Sequence, residues 1–243
     1  EDLSEEKLDF IRSSMTCTNE QSINGSLKYN STQEISETIR SAKGAQGRAV
    51  TLQDYVSLCY TMPSRFGSVY RASVIKDMDD LKRNINLYII AQDEDGFLSS
   101  PNLALKNNLK KWLNEGRMIS DSIDIYSADI LNLGIYFDAV LTNKSNKMTA
   151  LSEIRQFLFS ELKLSTPQIG QYFSIGEVEK ILNSMNIISR VNSVKITNKE
   201  GDKYSKLRYD IPSNISHDGS LIFIPDNIIW EVKYENDVVG KIQ

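Results

Sequence analysis

The sequence has few of the residues that most enzyme and metal sites need. It contains one histidine, His217, and two cysteines, Cys17 and Cys59, among 243 residues. His217 lies in a turn-forming stretch with no nucleophile-elbow motif, so neither a Ser-His-Asp nor a Cys-His arrangement is indicated. The cysteines permit one disulfide but lack the CxxC spacing of zinc sites. We therefore predict that there are no catalytic residues, no metal ligands and no cofactor.

Further absences bear on the partners. Neither of the glycine-rich phosphate motifs GxGxxG and GxxxxGK[ST] occurs. The formal net charge is −4, and lysines and arginines are interspersed with acids, which argues against nucleic acid as a partner. The longest apolar runs, Ile85–Ala91 and Leu131–Leu141, are shorter than the roughly 20 residues of a membrane span. We expect no nucleic acid, membrane or small-molecule ligand.

Two acidic features are interpreted as solvated charge. Asp93 and Asp95 precede Gly96 as in a calcium loop. Counted from Asp93, however, the sixth position is Leu98 where glycine is needed, and the twelfth is Ala104 where a glutamate is needed. The carboxylate pairs Glu177/Glu179 and Asp79/Asp80 have no apolar residues around them in sequence that would raise a pKa.

Helix-capping signals organise the first half of the chain. Ser31-Thr-Gln-Glu34 predicts a short helix that ends near Gly44, with Ile35 and Ile39 on one face. Thr51-Leu-Gln-Asp54 predicts a second capping box. The buried stripe that we expect on this second helix consists of Leu52, Tyr55, Val56 and Cys59. Ser100-Pro101 predicts the start of an amphipathic helix that ends at Gly116.

Strand patterns surround these helices. In the first half they are Val69–Ile75, Ile85–Ala91, the short Ile123–Ile125 and the long alternating Leu131–Leu141. Two further helices are predicted, one with Leu151 and Leu158 on its apolar face and one capped at Ser174. They precede the C-terminal strands Val191–Thr197, Lys206–Ile211, Leu221–Ile224 and Ile228–Tyr234.

This order predicts an α+β fold. We expect a two-layer, mostly antiparallel sheet with packed helices, plus a smaller C-terminal α+β module. The expected divisions are an N-terminal helical or linker segment (1–47), an α+β domain (48–145), and C-terminal helices followed by a β-rich module (146–243). The first residues, Glu1-Asp2-Leu3, lack an initiator methionine, which we interpret as a fragment or a trimmed chain.

Two adjacent segments carry a family resemblance. Thr32–Ala42 forms an acidic short helix, and Gly47–Tyr55 reads GRAVTLQDY. Together they resemble the baseplate J family of contractile-tail baseplates, in which such a helix precedes an RAVT..DY segment. The order of elements agrees from Gln33 to Leu162. Within the family, the chain is most similar to the C-terminal part of the ring-forming wedge proteins of T4-like phages.

The resemblance implies a structural role without catalysis. It implies a late-expressed virion protein of the tail baseplate, assembled in the host cytoplasm, which joins wedges into a ring around the tail tube. It further implies homodimer or ring self-association, contacts with other wedge subunits, and rearrangement when the sheath contracts. Within the motif, Val50 suits an N-terminal staple and Tyr55 the packing face. Local structure does not explain Arg48, which could pair with an acid of this chain or of a neighbour.

Two alternatives stay open. A cell-wall glycan hydrolase needs two carboxylates that face a cleft about 5–10 Å apart. A receptor- or carbohydrate-binding adhesin needs aromatic and amide side chains around a shallow pocket. Tyrosines on the sheet faces, such as Tyr88 and Tyr136, suit either core packing or contact with another subunit.

Overall fold

A computed structural model describes residues 32–77, 84–93, 95–142, 147–165 and 167–242, together with Lys7, Ser13 and Ser14. The helices are α1 (Thr32–Ala45), α2 (Leu52–Tyr60), α3 (Leu103–Gly116), α4 (Lys147–Leu164) and α5 (Ile175–Ser184). Short 3-10 turns lie at Ser64–Phe66, Pro212–Asn214 and Glu235–Asp237. The α+β class is confirmed.

The strands number ten in the described ranges. They are β1 (Arg71–Lys76), β2 (Asn84–Gln92), β3 (Leu98–Ser99), β4 (Ser122–Ser127), β5 (Asp129–Leu141), β6 (Phe173–Ser174), β7 (Ile188–Asn198), β8 (Leu221–Ile222), β9 (Ile228–Glu231) and β10 (Val238–Ile242). Four of the seven pairings among them are antiparallel: β1 with β2, β2 with β3, β5 with β7, and β6 with β8. The other three are parallel: β2 with β4, and β5 with both β9 and β10.

The first sheet is built on β2. Its alternating pattern buries Ile85, Leu87 and Ile89 on one face. Helices α2 and α3 supply Tyr55, Leu58, Leu105, Leu109 and Leu113 to the same core. The predicted amphipathic helix on a sheet is therefore present.

The second sheet is built on β5. Leu131, Leu133, Ile135, Phe137 and Ala139 alternate toward a core that α4 and α5 complete. We expected this strand to join the sheet of β1 and β2. Instead its partners are β7, β9 and β10, all from the C-terminal half. This sheet crosses the boundary at 145/146, and the division of the chain into domains stays a prediction.

The two sheets meet at Ala128, the single residue between β4 and β5. The Ala128 amide donates to the carbonyl of Ile89 in the first sheet, at 2.9 Å. The next amide, of Asp129, donates to the carbonyl of Asn227, which precedes β9. A small third core joins the sheets here: Tyr70, Ile90, Ala128, Ile169 and Ile229.

Several predicted details were wrong. Helix α3 begins at Leu103 with Asn102 as its N-cap, because the Asn102 side chain accepts from the Leu105 amide at 2.8 Å. Of the predicted stripe on α2, Tyr55 and Cys59 are buried and Val56 is half-buried, but Leu52 is exposed. Ser57 and Leu58 are buried in addition. Ser31, the predicted cap of α1, lies outside the described residues.

The C-terminal strands also differ from the prediction. Lys206–Ile211 forms no strand. Side chains bind the backbone of Leu207: its carbonyl accepts from the Asn198 side-chain amide, and its amide donates to the Ser205 hydroxyl. Strand β10 was missed. It contains Gly240, where a Cβ would lie 2.3 Å from the Phe137 ring, so glycine lets this strand approach β5.

Candidate functional site

The family-like motif Arg48–Tyr55 forms the N-terminus of α2. Thr51 is the N-cap: its hydroxyl accepts from the Asp54 amide at 3.3 Å, and the Asp54 carboxylate accepts from the Thr51 amide at 2.8 Å. Asp54 also accepts from the Val50 amide at 3.1 Å. These backbone bonds hold the pKa of Asp54 below its ordinary value, although slight desolvation opposes the shift. The predicted capping box is confirmed.

Tyr55, the last motif residue, fixes the loop that follows α3. Its hydroxyl donates to Asp121 at 2.7 Å. Burial, and next the bond to Asp121, raise the pKa of Tyr55 to about 12. The Ala49 amide donates to the carbonyl of Gly116 at 2.8 Å, and a Cβ on Gly116 would lie 2.9 Å from the Gly47 carbonyl oxygen. The motif therefore serves the fold by fastening residues 116–121 against α2.

The same contacts place four exposed apolar side chains around the start of α2. Val50 is 67% exposed, Ile119 is fully exposed, and Leu52 and Met118 are each about two-fifths exposed. We call these four residues the motif patch. The predicted staple role of Val50 is wrong, since its side chain faces solvent. Arg48 is exposed too, and no bond to its side chain is recorded among the described residues.

A cleft of about 690 Å³ opens where the β2–β3 hairpin, α4 and the end of β9 come together. Its volume is in the range of small-molecule pockets, which run from about 300 to 1,000 Å³. The side chains that line it are Tyr70, Gln92, Asp95, Phe97, Leu98, Gln156, Phe159, Ser160, Leu162, Lys163, Pro167, Trp230, Glu231, Val232, Lys233 and Glu235, with Gly96.

Glu231 is the most perturbed carboxylate of this cleft. Its two oxygens accept from the Leu98 amide at 3.0 Å and from the Asn132 side chain at 3.4 Å, so it links β3 of the first sheet to β5 of the second. Burial raises the pKa of Glu231, while the Leu98 amide and the charges of Lys233 and Lys163 oppose the shift. Both lysine ammonium groups lie over the ring of Phe97, at 5.7 and 5.6 Å from its centre.

A second buried carboxylate, Asp237, lies just before β10. Asp237 is 2% exposed and accepts from the Tyr204 hydroxyl at 2.6 Å and from the Tyr234 amide at 3.0 Å. The bond to Asp237 is the main cause that raises the pKa of Tyr204 to about 12. Together with Asn132, which accepts from the Ser205 amide, this pair fixes the loop that follows β7. Its bonds are structural, because each partner is already satisfied within the chain.

The residues considered for chemistry are dispersed in the structure. His217 is exposed in the turn before β8. Asp93 and Asp95 belong to the turn between β2 and β3, closed by the Gly96 amide on the Asp93 carbonyl. Glu177 and Glu179 are exposed on α5, and Asp79/Asp80 lie outside the described residues. In the described ranges, no group of three or more His, Cys, Asp or Glu could hold a metal ion.

The cysteines and the tyrosines on the sheet faces are the remaining residues that the sequence analysis named. Cys59 is buried and free, and burial raises the pKa of its thiol; Cys17 lies outside the described residues. Tyr88 stacks on the exposed Tyr126, with ring centres 5.5 Å apart. Tyr136 is 38% exposed, and its hydroxyl lies 3.2 Å from the Lys199 ammonium. No helix in the described parts of the chain is long and apolar enough to cross a bilayer.

The cleft was missed from the sequence. Glu231 follows a buried apolar run, Ile228–Trp230, which is the one local signal that its carboxylate enters the interior. Its partners, Leu98 and Asn132, are 133 and 99 residues away, so no spacing rule connects them.

The fold, but not the sequence, is similar to that of known proteins. No model of a protein family and no curated protein matches the sequence. Among solved structures, the fold is similar to a chain of the "Cryo-EM structure of the anti-feeding prophage (AFP) baseplate, 6-fold symmetrised", with a TM-score of 0.53 and 11% sequence identity. The similarity covers 83% of this chain and 42% of that chain, so this chain spans less than half of its length. The chain therefore has a baseplate-like fold.

Proposed function

We propose that this chain is a structural, non-enzymatic subunit of a contractile-tail baseplate and belongs to the baseplate J family. The observation that carries the proposal is that 83% of this chain shares its fold with the AFP baseplate chain. The motif Arg48–Tyr55 adds support, because it is the element on which we based the resemblance. Two of its polar side chains, those of Thr51 and Asp54, are occupied in capping a helix.

The finer role proposed is that of a wedge protein. It joins neighbouring wedges into a ring around the tail tube, contacts other wedge subunits, and rearranges when the sheath contracts. It resides in the virion tail baseplate after assembly in the host cytoplasm. The exposed apolar motif patch supports this role, since large apolar side chains grouped on a surface are typical of protein interfaces.

Copurification tests the proposal. The tagged chain is coexpressed with the other baseplate proteins of the same contractile system, purified through the tag at low salt, and analysed by mass photometry. We expect a complex of fixed stoichiometry with at least one of them. The matched control is the same chain coexpressed with the tail-tube protein alone. A chain that is recovered alone from every coexpression contradicts the proposed function.

The cleft bears on the two alternatives, a glycan hydrolase and an adhesin. It combines aromatic and amide side chains, such as Phe97 and Gln156, with Asp95, Glu235 and the perturbed Glu231. Against hydrolysis, both oxygens of Glu231 already accept hydrogen bonds from the protein. Dye release from labelled peptidoglycan, with Glu231→Gln as the matched variant, separates the two. Turnover that is lost in Glu231→Gln would establish the hydrolase, and glycan binding without turnover the adhesin.

A further inference from the structure

The first sheet has a second face, which is turned away from α2 and α3. Because Ile85, Leu87 and Ile89 lie in the core under these helices, the residues between them on β2 point to the other side. Their neighbours on β1 and β4 follow from the register of the two pairings. We call the resulting set the tyrosine face: Ser73 and Ile75 of β1, Asn84, Asn86 and Tyr88 of β2, and Ser122, Asp124 and Tyr126 of β4.

Two stacked rings form the aromatic part of the tyrosine face. Tyr88 and Tyr126 are register partners, and their rings are stacked with planes 28° apart. Tyr126 is 45% exposed and Tyr88 is half-buried. A tyrosine ring presents an apolar surface and a hydroxyl that both donates and accepts. The pair therefore offers a fixed flat surface for a ligand that has both C–H groups and hydroxyls.

A network of polar side chains lies beside these rings. The Asn84 amide nitrogen donates to the Asn86 side-chain oxygen at 3.3 Å and to one oxygen of Asp124 at 3.0 Å. Asn86 and Asp124 are register partners, two residues before Tyr88 and Tyr126 on their strands. In the described part of the chain, no partner is recorded for the Asn86 amide nitrogen or for the second Asp124 oxygen. The network therefore holds a free donor and a free acceptor side by side.

The charges on this side of the sheet exclude anionic ligands. Asp124 and, at the end of β1, Asp77 are acidic; the Asp77 amide donates to the Asn84 carbonyl at 3.2 Å. The basic residue that alternation places on the same side, Arg71, is 8% exposed and lies over the ring of Tyr70. Among the described residues no exposed cation on this face is available to a phosphate, as a nucleic acid needs.

A protein partner is also a poor match for this face. Its apolar residue, Ile75, is half-buried, and Tyr126 is its one large hydrophobic side chain with more than a third of its surface exposed among the described residues. Protein interfaces have an apolar centre from which charged residues are depleted. Here amides and a carboxylate adjoin the rings at the centre of the face.

We propose that the tyrosine face binds an uncharged sugar of an oligosaccharide. One side of a pyranose ring carries C–H groups that pack on an aromatic ring, and each of its neighbouring hydroxyls both donates and accepts. The first feature fits the ring of Tyr126, and the second fits the free donor of Asn86 beside the free acceptor of Asp124. The inference goes beyond the proposed function, which needs no ligand, and it places glycan binding outside the cleft. The motif patch lies at the start of α2, on the other side of the sheet, so a structural subunit keeps this face available.

The first test is glycan binding by the purified chain. The fluorescently labelled chain is applied to an array of neutral, acidic and amino oligosaccharides, and the best neutral binder is titrated by isothermal titration calorimetry at low and high salt. We expect binding to a neutral sugar with an affinity that does not change with salt, because no ion pair forms. Binding of no neutral sugar, or binding confined to acidic or amino sugars, overturns the inference.

Substitutions on the tyrosine face locate the site. Tyr126→Ala removes the exposed ring and should weaken binding about tenfold, whereas Tyr126→Phe keeps the ring and should retain most of the affinity. Asn86→Ala removes the free donor and should weaken binding about threefold to tenfold. In the labelled wild type, the side-chain amide signals of Asn84 and Asn86 should shift in nuclear magnetic resonance spectra as the sugar is added.

Two control variants distinguish this face from other surfaces. Tyr136→Ala removes a tyrosine of the second sheet that is 38% exposed, and it should leave binding unchanged. Glu231→Gln changes the cleft and should also leave binding unchanged. Circular dichroism checks that every variant folds. Binding that survives Tyr126→Ala and Asn86→Ala, or that is lost in Glu231→Gln instead, overturns the inference.

This experiment and the copurification fail separately. A chain that copurifies with another baseplate protein but binds no neutral sugar contradicts the glycan site alone. A chain that binds a neutral sugar through Tyr126 but is recovered alone from every coexpression contradicts the proposed function alone.

Discussion

The two sheets take the partners of their central strands from different distances along the chain. In the first sheet, β2 is paired with strands that all lie within residues 71–127. In the second, β5 is paired with strands from residues 188–242, and two of the three pairings are parallel. Both sheets bury one face under two helices. Similar layers are thus assembled from mainly local contacts in one region and from distant contacts in the other.

Local contacts close shorter loops, so the first region would fold faster than the second if nothing joined them. Ala128 and the small third core do join them, since Ile90 of the first sheet packs with Ile229 of the second. We therefore expect the two regions to unfold together despite their different topologies.

The largest expected effect comes from core truncation. Leu109 of α3 and Leu158 of α4 are fully buried, one in each core. Leu109→Ala and Leu158→Ala should each lower the free energy of unfolding by about 2–5 kcal/mol. The two tryptophans report separately, Trp112 near the first core and Trp230 in the second. Two single-tryptophan versions of the protein are compared, one that keeps Trp112 and one that keeps Trp230. Each truncation should lower the urea midpoint by the same amount in both versions.

A transition that shifts only at the tryptophan of the truncated core would contradict this coupling. It would show that the two regions unfold independently. Leu103→Ala, at a position 73% exposed, is the matched control and should shift neither.

An intermediate effect compares the two tyrosine–aspartate contacts. Tyr204→Phe leaves the buried Asp237 with one bond fewer, whereas Tyr55→Phe removes a bond from Asp121, which is only half-buried. Bonds to charged groups contribute about 1.5–3 kcal/mol, so we expect Tyr204→Phe within that range and Tyr55→Phe below it. Urea unfolding of each variant and of its double mutant with the aspartate changed to Asn isolates the pair energy. Equal losses would mean that burial does not distinguish the two regions.

A smaller effect concerns the helix caps. Thr51 is in a reciprocated capping box, while the Ser174 hydroxyl accepts from the Glu177 amide at 3.1 Å with no recorded return bond. Thr51→Ala and Ser174→Ala should each cost about 0.5–2 kcal/mol, the first more than the second. Thermal unfolding measures both, and Thr51→Ser should retain most of the stability. A larger loss at Ser174 would show that packing around α5, and not the cap, sets the order.

The first region was largely predictable, and the reason is local. The Thr51 capping box and the strand β2 are each specified by residues within a few positions of one another, and both are present. The exposure of Val50 and Leu52 was not predictable. An apolar residue at a helix start has the same pattern whether it packs inward or faces solvent.

The pairing of the strands in the second region could not be predicted from local sequence patterns. The alternation of β5 predicts a strand but not its partners, since β9 and β10 follow it by about a hundred residues. The cleft depends on that pairing, because Glu231 at the end of β9 reaches Leu98 and Asn132 only after the sheet has formed. Gly240 lowers the strand signal of β10, although it is the residue that lets β10 approach Phe137.

The smallest expected effect tests the one carboxylate that spans both sheets. Burial raises the pKa of Glu231 above its unfolded value, so the folded state holds a proton that the unfolded state has already released. Its contribution to stability is therefore present below the unfolded pKa and is lost as pH rises through the folded pKa. Glu231→Gln should remove this dependence. Asp54 and Asp218, whose pKa values are lowered, act with the opposite sign but are common to both proteins.

Urea unfolding from about pH 4 upward, around the ordinary glutamate pKa, measures the difference in stability between wild type and Glu231→Gln. We expect the free energy of unfolding of the wild type, minus that of Glu231→Gln, to fall as pH rises and then to level off. Glu177→Gln, which makes the same change at an exposed carboxylate, is the matched control. A difference that rises with pH would mean that the bonds from Leu98 and Asn132 outweigh desolvation. Glu231 would then stabilise the junction as an ionised link between the sheets, and the two regions would be coupled by charge as well as by the apolar contacts around Ala128.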